Sequence, residues 1–351
     1  MKNLIKVRLL LMCFFATAFF YACMKDHNQG LRFNVSQVNL VADTAGFDAA
    51  LIDTSLVNAW GIAVAPSGPI WISANHTGVS TIYDNTGKTL RPPVIIPSAT
   101  PGEPGAPTGQ LFNGTTDFGA YRFIFAGEDG TISAWKGGST ATIVADRSST
   151  DAVYKGITMA AVGTDNFLYV TNFKGGKIDV FDKNFNYVTD KPFADPNIPA
   201  GYGPFNIQNI GGKLYVTYAK LKGPDNEDDE SGPGNGFVNI FNPDGTMVRR
   251  FASHGMLNSP WGIALAPGGF ADAGPSILIG NFGDGRINVF DMQGKFRGQL
   301  QNDRQVVSIE GLWAIDFLKG NVAGGSPHDP LYFTAGPDDE SHGLFGYLKK
   351  Q

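Results

Sequence analysis

The sequence is poor in cysteine and in charge. Two cysteines occur in 351 residues, and one of them, Cys13, lies in a segment that we interpret below as a cleaved signal, so the mature chain can form no internal disulfide. Charged residues make up only 17% of the chain, and 27 Lys and Arg face 32 Asp and Glu without a positive stripe. We therefore expect no nucleic-acid partner. A hydrophobic content of 42% excludes wholesale disorder.

Familiar catalytic motifs are absent as well. The five histidines form no His-Glu-x-x-His motif, and no Gly-x-Ser-x-Gly segment occurs. No cysteine pair is available for redox or metal chemistry. The catalytic residues of any reaction therefore stay unknown at this stage.

Glycine, by contrast, is abundant. The chain has 45 glycines and 21 prolines, without the strict triplet period of collagen. Many tight turns between short strands need this composition.

The N-terminal segment has the pattern of a secretory signal. Three basic residues fall within the first eight positions, and residues 9–20 are apolar except for Thr17, a stretch that is too short to span a bilayer comfortably. Phe20, Tyr21 and Ala22 then precede Cys23. This pattern is similar to the lipobox of bacterial lipoproteins, in which the cysteine is acylated and becomes the new N-terminus.

We therefore expect residues 1–22 to be a lipoprotein signal peptide, Cys23 to be the lipidation site and residues 23–32 to be a tether. The mature protein would be extracytoplasmic, anchored by its lipid to the membrane of a Gram-negative bacterium and facing the periplasm or the cell surface. The alternative is an ordinary signal peptide that is cleaved nearby, with Cys23 an unmodified thiol.

The rest of the chain repeats at a period of about 50 residues. Six segments open with a similar four-residue pattern, and they begin at Trp60, Thr108, Lys155, Phe205, Trp261 and Trp313. Two short runs of β-branched and aromatic residues follow each opening, and hairpin turns close the third run. Each unit is therefore a four-stranded antiparallel meander. Six such units predict an all-β fold, a six-bladed β-propeller over residues 33–351.

The last repeat has no fourth strand of its own, because Gln351 follows shortly after its third run. Residues 40–43 (Leu-Val-Ala-Asp) read like residues 143–146 (Ile-Val-Ala-Asp), which occupy the fourth-strand position of the second repeat. We expect residues 33–43 to supply the missing strand and close the ring. A parallel β-solenoid is the alternative, and its usually shorter coils and lack of hairpin turns argue against it.

Three segments of the fifth repeat carry a family resemblance. Residues 260–265, 277–281 and 285–291 look like an NHL-type repeat, and the chain resembles uncharacterised secreted bacterial proteins with six-bladed, NHL-like propellers. These belong to a wider superfamily of lactonase, NHL and TolB-like propellers. The resemblance implies a fold but no particular activity, because that superfamily includes binding modules, lactonases and lyases.

Two sets of loops should lie on one face of the ring, namely the loops that lead into the first strands and the loops that join the second and third strands. We call this end of the channel the mouth. The candidate ligand-binding residues on these loops are Asn58, Trp60, Asn75, Glu128, Asn172, Trp261, Asn281, Glu310, Trp313 and Asp338. The alternative is structural: Asn after a strand commonly caps a turn, and repeated Trp can plug a junction between blades.

The resemblance also raises a metal site. Lactonases of the superfamily hold calcium with an oxygen-rich set of Glu, Asn and Asp at this location, and calcium accepts six to eight oxygen ligands. The matching residues here are Glu128, Asn172, Asn281, Glu310 and Asp338. No cofactor is otherwise expected.

An acidic insertion at residues 220–236 should hang over the mouth, either as a cation- or partner-binding lid or as a solvated flexible loop. His76 and His342 lie in loops that could also reach the mouth. We expect a recognition module for a glycan, a peptide or a partner protein. The alternative is a calcium-assisted lactonase or other hydrolase with its site at the mouth.

Overall fold

The computed structural model describes residues 33–66, 68–270, 274–318 and 329–351. The expected signal peptide, Cys23 and the tether lie outside these residues. Within them the chain is built of strands, joined by loops and by two single 3-10 turns, Phe118–Ala120 and Ser148–Thr150. No helix among the described residues has the length and apolar character needed to cross a membrane.

The strands follow one another along the whole described chain. In order they are β1 (Phe33–Ala42), β2 (Leu51–Ile52), β3 (Ala59–Val64), β4 (Ile70–Ala74), β5 (Val79–Tyr83), β6 (Val94–Ile95), β7 (Pro107–Phe112), β8 (Phe123–Gly127), β9 (Thr131–Trp135), β10 (Thr142–Asp146), β11 (Tyr154–Val162), β12 (Asp165–Asn172), β13 (Lys177–Phe181), β14 (Tyr187–Val188), β15 (Tyr202–Ile210), β16 (Lys213–Lys220), β17 (Phe237–Phe241), β18 (Met247–Ser253), β19 (Pro260–Ala266), β20 (Ser276–Asn281), β21 (Ile287–Asp291), β22 (Phe296–Asn302), β23 (Gln305–Val306), β24 (Leu312–Asp316), β25 (Leu331–Ala335) and β26 (Leu344–Lys350).

Four-stranded antiparallel sheets are the recurring unit. The strands β3–β6, β7–β10, β11–β14 and β15–β18 each form one such sheet. A ten-stranded sheet contains β19–β22 and then β1, β26, β25 and β24, with β2 and β23 paired at its side. This confirms the expected all-β chain of antiparallel meanders.

Strand β1 brings the two ends of the described chain together. It pairs antiparallel with β26, from Val35 opposite Lys350 to Ala42 opposite Leu344. At its other end it runs parallel to β22, with Phe33 opposite Leu300. Residues 33–42 thus lie beside the last strand of the chain.

Hairpin turns between third and fourth strands share one device. The carboxylate of Asp84 accepts hydrogen bonds from the backbone N–H groups of Thr86 and Lys88. Asp291 makes the same pair of bonds to Gln293 and Lys295. An Asp side chain that satisfies two turn N–H groups in this way fixes the hairpin locally, which is why the sequence alone marks these turns.

The first strands of the sheets contact one another in the order β3, β7, β11, β15, β19 and β24, and β24 returns to β3. Glycine near the start of several of these strands permits the approach. A Cβ atom at Gly61 would lie 2.6 Å from the carbonyl oxygen of Thr108, and one at Gly262 would lie 2.7 Å from that of Trp313. The Trp-Gly pattern of the repeats therefore reflects close packing of each first strand against the next.

The hydrophobic core lies in layers between adjacent sheets. Ile124 and Ile132 of one sheet pack with Tyr154 and Leu168 of the next, all of them buried. Because each sheet is covered on both faces, its strands read as nearly continuous apolar runs.

Candidate ligand-binding mouth

Three tryptophans form the floor of the mouth. The Trp60 and Trp313 rings stack with their centroids 3.6 Å apart, and Trp261 meets them edge-on at 6.0 and 5.8 Å. Phe282 covers the other side of Trp313, at 4.0 Å. None of the three indoles is more than 4% exposed. The rings bury one another, so they close the channel and support the polar residues above them.

A buried ion pair lies directly on this floor. Lys155, near the start of β11, is 3% exposed and pairs with Glu128 from the loop between β8 and β9, whose side chain is 28% exposed. The Lys155 ammonium lies 5.0 Å from the centroid of the Trp60 ring, within the range of a cation–π contact. The other Glu128 oxygen accepts a hydrogen bond from Asn75 at 2.9 Å.

The pair fixes the charge of both partners. Burial opposes ionisation of Glu128, but the attraction of Lys155 outweighs it and lowers the pKa of the carboxyl. Burial likewise opposes the charged form of Lys155, and Glu128 outweighs it, so the pKa of the ammonium is raised. Both groups are therefore ionised at neutral pH.

Glu340 is a second mouth carboxyl with the opposite behaviour. Asn58 donates to its Oε2 at 2.6 Å, accepts from the Trp313 indole at 3.0 Å, and lies 3.3 Å from Nε2 of His76. Burial, helped by the negative charge of Glu128, raises the pKa of Glu340 to about 7. Near neutral pH this carboxyl is thus divided between an acceptor form and a form that also donates.

Backbone geometry directs Glu340 inward. Asp338, Asp339 and Glu340 all have left-handed φ angles, of 55°, 49° and 66°. This turn leaves Asp338 exposed and places Glu340 over Asn58. Three successive left-handed residues other than glycine are energetically costly, a feature that is common at functional sites.

The acidic insertion does reach the mouth. Asp228 Oδ1 lies 3.8 Å from Lys155 Nζ, and Glu227 Oε1 lies 2.9 Å from Lys174 Nζ. Backbone hydrogen bonds join Lys222 to Asp228. Burial raises the pKa of Asp229. The insertion is therefore a structured rim of the mouth.

Two of the candidate asparagines serve as turn caps. Asn172 accepts from the backbone N–H of Gly175 at 2.9 Å and donates to Asp179 at 3.2 Å. Asn281 donates to the Met256 carbonyl at 2.8 Å and to Asp284 at 3.0 Å. The Asn172 amide is thus used at its own turn, and the Asn281 NH₂ group joins its turn to the loop before β19.

The remaining candidates lie at the rim. Glu310 is exposed and accepts from the backbone N–H of Asp338 at 3.3 Å. Asp338 is exposed too, with its carboxylate 3.8 Å from Nε2 of His342. The other nitrogen of His342 bonds to Asp43, so this histidine belongs to the junction between β1 and β26. The His76 side chain contacts Asn58 at the mouth, whereas His342 reaches Asn58 only through its backbone carbonyl, which accepts the Asn58 N–H at 3.1 Å.

These contacts do not fit a calcium ion. Calcium needs six to eight oxygen ligands, whereas the ammonium of Lys155 holds the place beside Glu128 that a cation would take. Elsewhere in the described chain, no three His, Cys, Asp or Glu side chains lie close enough to hold a metal. Glu310 and Asp338 are two of the five residues that match the calcium ligands of the superfamily. They are joined by a hydrogen bond, but the bond uses the backbone N–H of Asp338 and not its carboxylate.

Two central residues were not among the sequence candidates. Lys155 opens the third repeat at the position where three other repeats have Trp. A lysine at a repeat position that is mostly apolar in the other repeats is a signal from which this residue could have been predicted. Glu340 gave no such signal, because the sequence Asp338-Asp339-Glu340 does not reveal which carboxylate turns inward.

Comparison with known proteins places the chain among relatives without a known function. No family model matches it. It is 35% identical over 336 residues to the uncharacterised protein L690 of Acanthamoeba polyphaga mimivirus, covering 90% of this chain and 86% of the relative. It is 33% identical to uncharacterised protein R648 of the same virus, covering 90% and 80%. The chain belongs to this family. Because these relatives are viral, they give no support to the expected bacterial origin.

Solved structures agree on the fold. An aldose sugar dehydrogenase from Escherichia coli superposes with a TM-score of 0.55 at 15% identity, over 90% of this chain and all of that one. Virginiamycin B lyase from Staphylococcus aureus gives 0.51 at 13%, over 90% and 99%. A Bacteroides thetaiotaomicron protein of unknown function gives 0.57 at 12%, over 90% and 76%. At these identities the likeness shows a β-propeller fold and not an activity.

Proposed function

We propose that this family member is a six-bladed β-propeller that binds a ligand at its mouth. The cyclic contacts of the six first strands support the blade count. The pairing of β1 with β26 supports a ring whose last blade is completed by the N-terminal strand. A ring closed in this way has no long free sheet edge and holds its mouth loops rigidly.

One observation carries the ligand site. Side chains from four separate parts of the chain, Asn58, Glu128, Lys155 and Glu340, meet above the buried indole of Trp60. Desolvated ionisable groups that collect in one place, with pKa values displaced in opposite directions, are typical of functional sites. Residues brought together from so far apart serve no single turn or hairpin.

A hydroxyl-rich ligand such as a glycan fits this chemistry better than a peptide or a partner protein. The mouth offers amides and carboxyls that both donate and accept within a few ångströms. Its floor is aromatic but buried, so there is no broad apolar patch of the kind that a protein partner would cover.

The binding proposal is tested with a panel of mono- and oligosaccharides, sugar lactones and short peptides in a thermal-shift and calorimetric screen. Ligands found with the wild type are then measured with Glu340→Gln and with Glu310→Gln, a matched change on the exposed rim. We expect affinity to fall at least tenfold in the first variant and to hold in the second. Ligands that bind both variants as they bind the wild type would place the site elsewhere.

We also propose that the ring is extracytoplasmic and anchored through a lipid on Cys23. The support is the sequence pattern of the first 23 residues. Changing Cys23→Ser should release the folded protein from washed membranes. A serine variant that still sediments with membranes in high salt contradicts the anchor.

A second candidate is a sugar-lactone hydrolase. The observation in its favour is the pKa of Glu340 near 7, which suits a general base that activates water at neutral pH. Lactone hydrolysis measured between pH 5 and 9 tests it: the rate should rise through pH 7 and be lost in Glu340→Gln. Addition of EDTA or calcium distinguishes the calcium-dependent version, which the Lys155 pairing disfavours.

A further inference from the structure

The channel ends, on the side opposite the mouth, in a second cavity. Its volume is about 1240 Å³, and its walls come from the ends of inner strands β3, β7, β11, β15 and β24 with adjoining loops. Ligand pockets commonly measure 300–1,000 Å³, so this space is large enough for an organic molecule. None of the sequence candidates for the mouth lines it.

The cavity has a mixed lining, in which apolar side chains lie beside amides and carboxylates. Phe112, Ile157 and Met159 are among the apolar lining residues. The ionisable side chains among the described lining residues are Asp84, Asp329, Asp316 and Tyr332, with no Lys, Arg or His. A partly apolar space with carboxylates and no cationic side chain among its described lining residues complements a ligand that combines a positive group with an apolar body.

Asp316 holds the central position. It lines both the large cavity and the narrow space inside the channel. Its carboxylate accepts the backbone N–H of Leu318 at 2.8 Å. Burial raises its pKa to about 6. Asp84 differs, because its carboxylate is used by the Thr86 turn. At pH 8 Asp316 is thus a largely ionised, partly exposed carboxylate with no Lys, Arg or His among the described residues that line the cavity, and a bound cation would stabilise its charged form.

We propose that this cavity binds an organic cation, whose charged group pairs with Asp316 and whose apolar part contacts the wall formed by Phe112, Ile157 and Met159. A bare metal ion fits less well, since no three His, Cys, Asp or Glu side chains of the described chain lie close enough together to hold one. The site is independent of the mouth and would leave ligand binding there unaffected.

Benzamidine is the probe, with benzamide as its neutral analogue and benzoate as its anionic one. Binding of each is measured by calorimetry or ligand-observed NMR at pH 8, using wild type, Asp316→Asn and Glu340→Gln. We expect benzamidine alone to bind, at least tenfold more weakly in Asp316→Asn and equally well in Glu340→Gln. A change at the mouth is the matched control, so failure of this proposal and failure of the mouth proposal are distinguishable.

Acidification provides a second test that needs no variant. Benzamidine affinity in the wild type should fall as the pH drops from 8 to 5, because Asp316 becomes protonated while the amidinium keeps its charge. The proposal is overturned if benzamidine does not bind at millimolar concentration, if benzamide binds as well, or if neither Asp316→Asn nor acidification weakens binding.

Discussion

Asp43 and His342 are 299 positions apart in the chain, yet Oδ2 of the first lies 2.9 Å from Nδ1 of the second. The other carboxylate oxygen of Asp43 accepts the backbone N–H of Gly343 at 2.9 Å, and the Asp43 N–H donates to the Gly343 carbonyl. These bonds tie the end of β1 to the start of β26. They therefore hold the junction on which the proposed closure of the ring depends.

This junction should depend on pH. The hydrogen bond to Asp43 raises the pKa of His342, so the pair stabilises the fold below the unfolded pKa of histidine, and that contribution is lost as the pH rises through the folded value. The melting-temperature difference between wild type and Asp43→Asn should be larger at pH 5.5 than at pH 8.5. A residual difference at high pH reflects the Gly343 bond. A difference that is the same at both pH values contradicts the account.

Removal of β1 should be far more damaging than any single change at the junction. The strand buries Phe33, Val35 and Val41 almost completely, and each such side chain contributes about 1.5–3 kcal/mol by burial. Its loss also exposes the edge of β26. A chain that begins at Thr44 should aggregate or melt many degrees lower than one that begins at Phe33. Equal melting of the two would exclude closure by β1.

The fold could be predicted because its signals are local. Asp-containing hairpin turns such as Asp291-Met292-Gln293-Gly294 fix their own geometry, and continuous apolar runs follow from sheets covered on both faces. The likeness of residues 40–43 to residues 143–146 located β1, because both segments occupy the same place beside a third strand.

The site could be predicted only in part, because its contacts are long-range. Position in a loop was enough to select Asn58, Asn75 and Glu128 as candidates, and the structure joins Asn58 to Glu340 and Asn75 to Glu128 by hydrogen bonds. It could not show that Asn172 would turn back on its own loop, or that Lys155 would supply the charge next to Glu128. Sequence reasoning ranks residues by type, whereas a side chain is available to a ligand only if the protein leaves it unsatisfied.

The Lys155–Glu128 pair should be costly to break from one side. Lys155→Met leaves a largely desolvated carboxylate, and we expect a loss of about 2–3 kcal/mol, less than for a fully buried pair because Glu128 is partly exposed. Adding Glu128→Gln to the Lys155→Met variant should restore much of the lost stability, because it removes the unpaired carboxylate. Lys174→Met, which removes exposed ion pairs, is the control and should change stability little. Urea unfolding measures these variants together with Glu128→Gln alone and the wild type, and additive losses for the two single changes would show that the two residues do not interact.

Calcium should leave stability unchanged. An ion that binds the folded protein and not the unfolded chain must raise the melting temperature. At a free concentration of 100 times the dissociation constant, it raises the free energy of unfolding by about 2.7 kcal/mol. Because Lys155 already neutralises Glu128, we expect equal melting in calcium and in EDTA, using a variant with the acidic 225–230 segment shortened. A calcium-dependent rise that disappears in Glu128→Gln or Glu310→Gln would instead support the calcium-dependent hydrolase.

The ionisation of Glu340 tests the mouth most directly. Carboxyl ¹³C NMR of protein labelled at glutamate follows its titration, and the signal is assigned by its loss in Glu340→Gln. We predict a pKa near 7 instead of the ordinary 4.5, and a shift of that pKa when a ligand from the screen binds. A Glu340 that titrates near 4.5 and does not respond to any bound ligand would contradict a functional mouth.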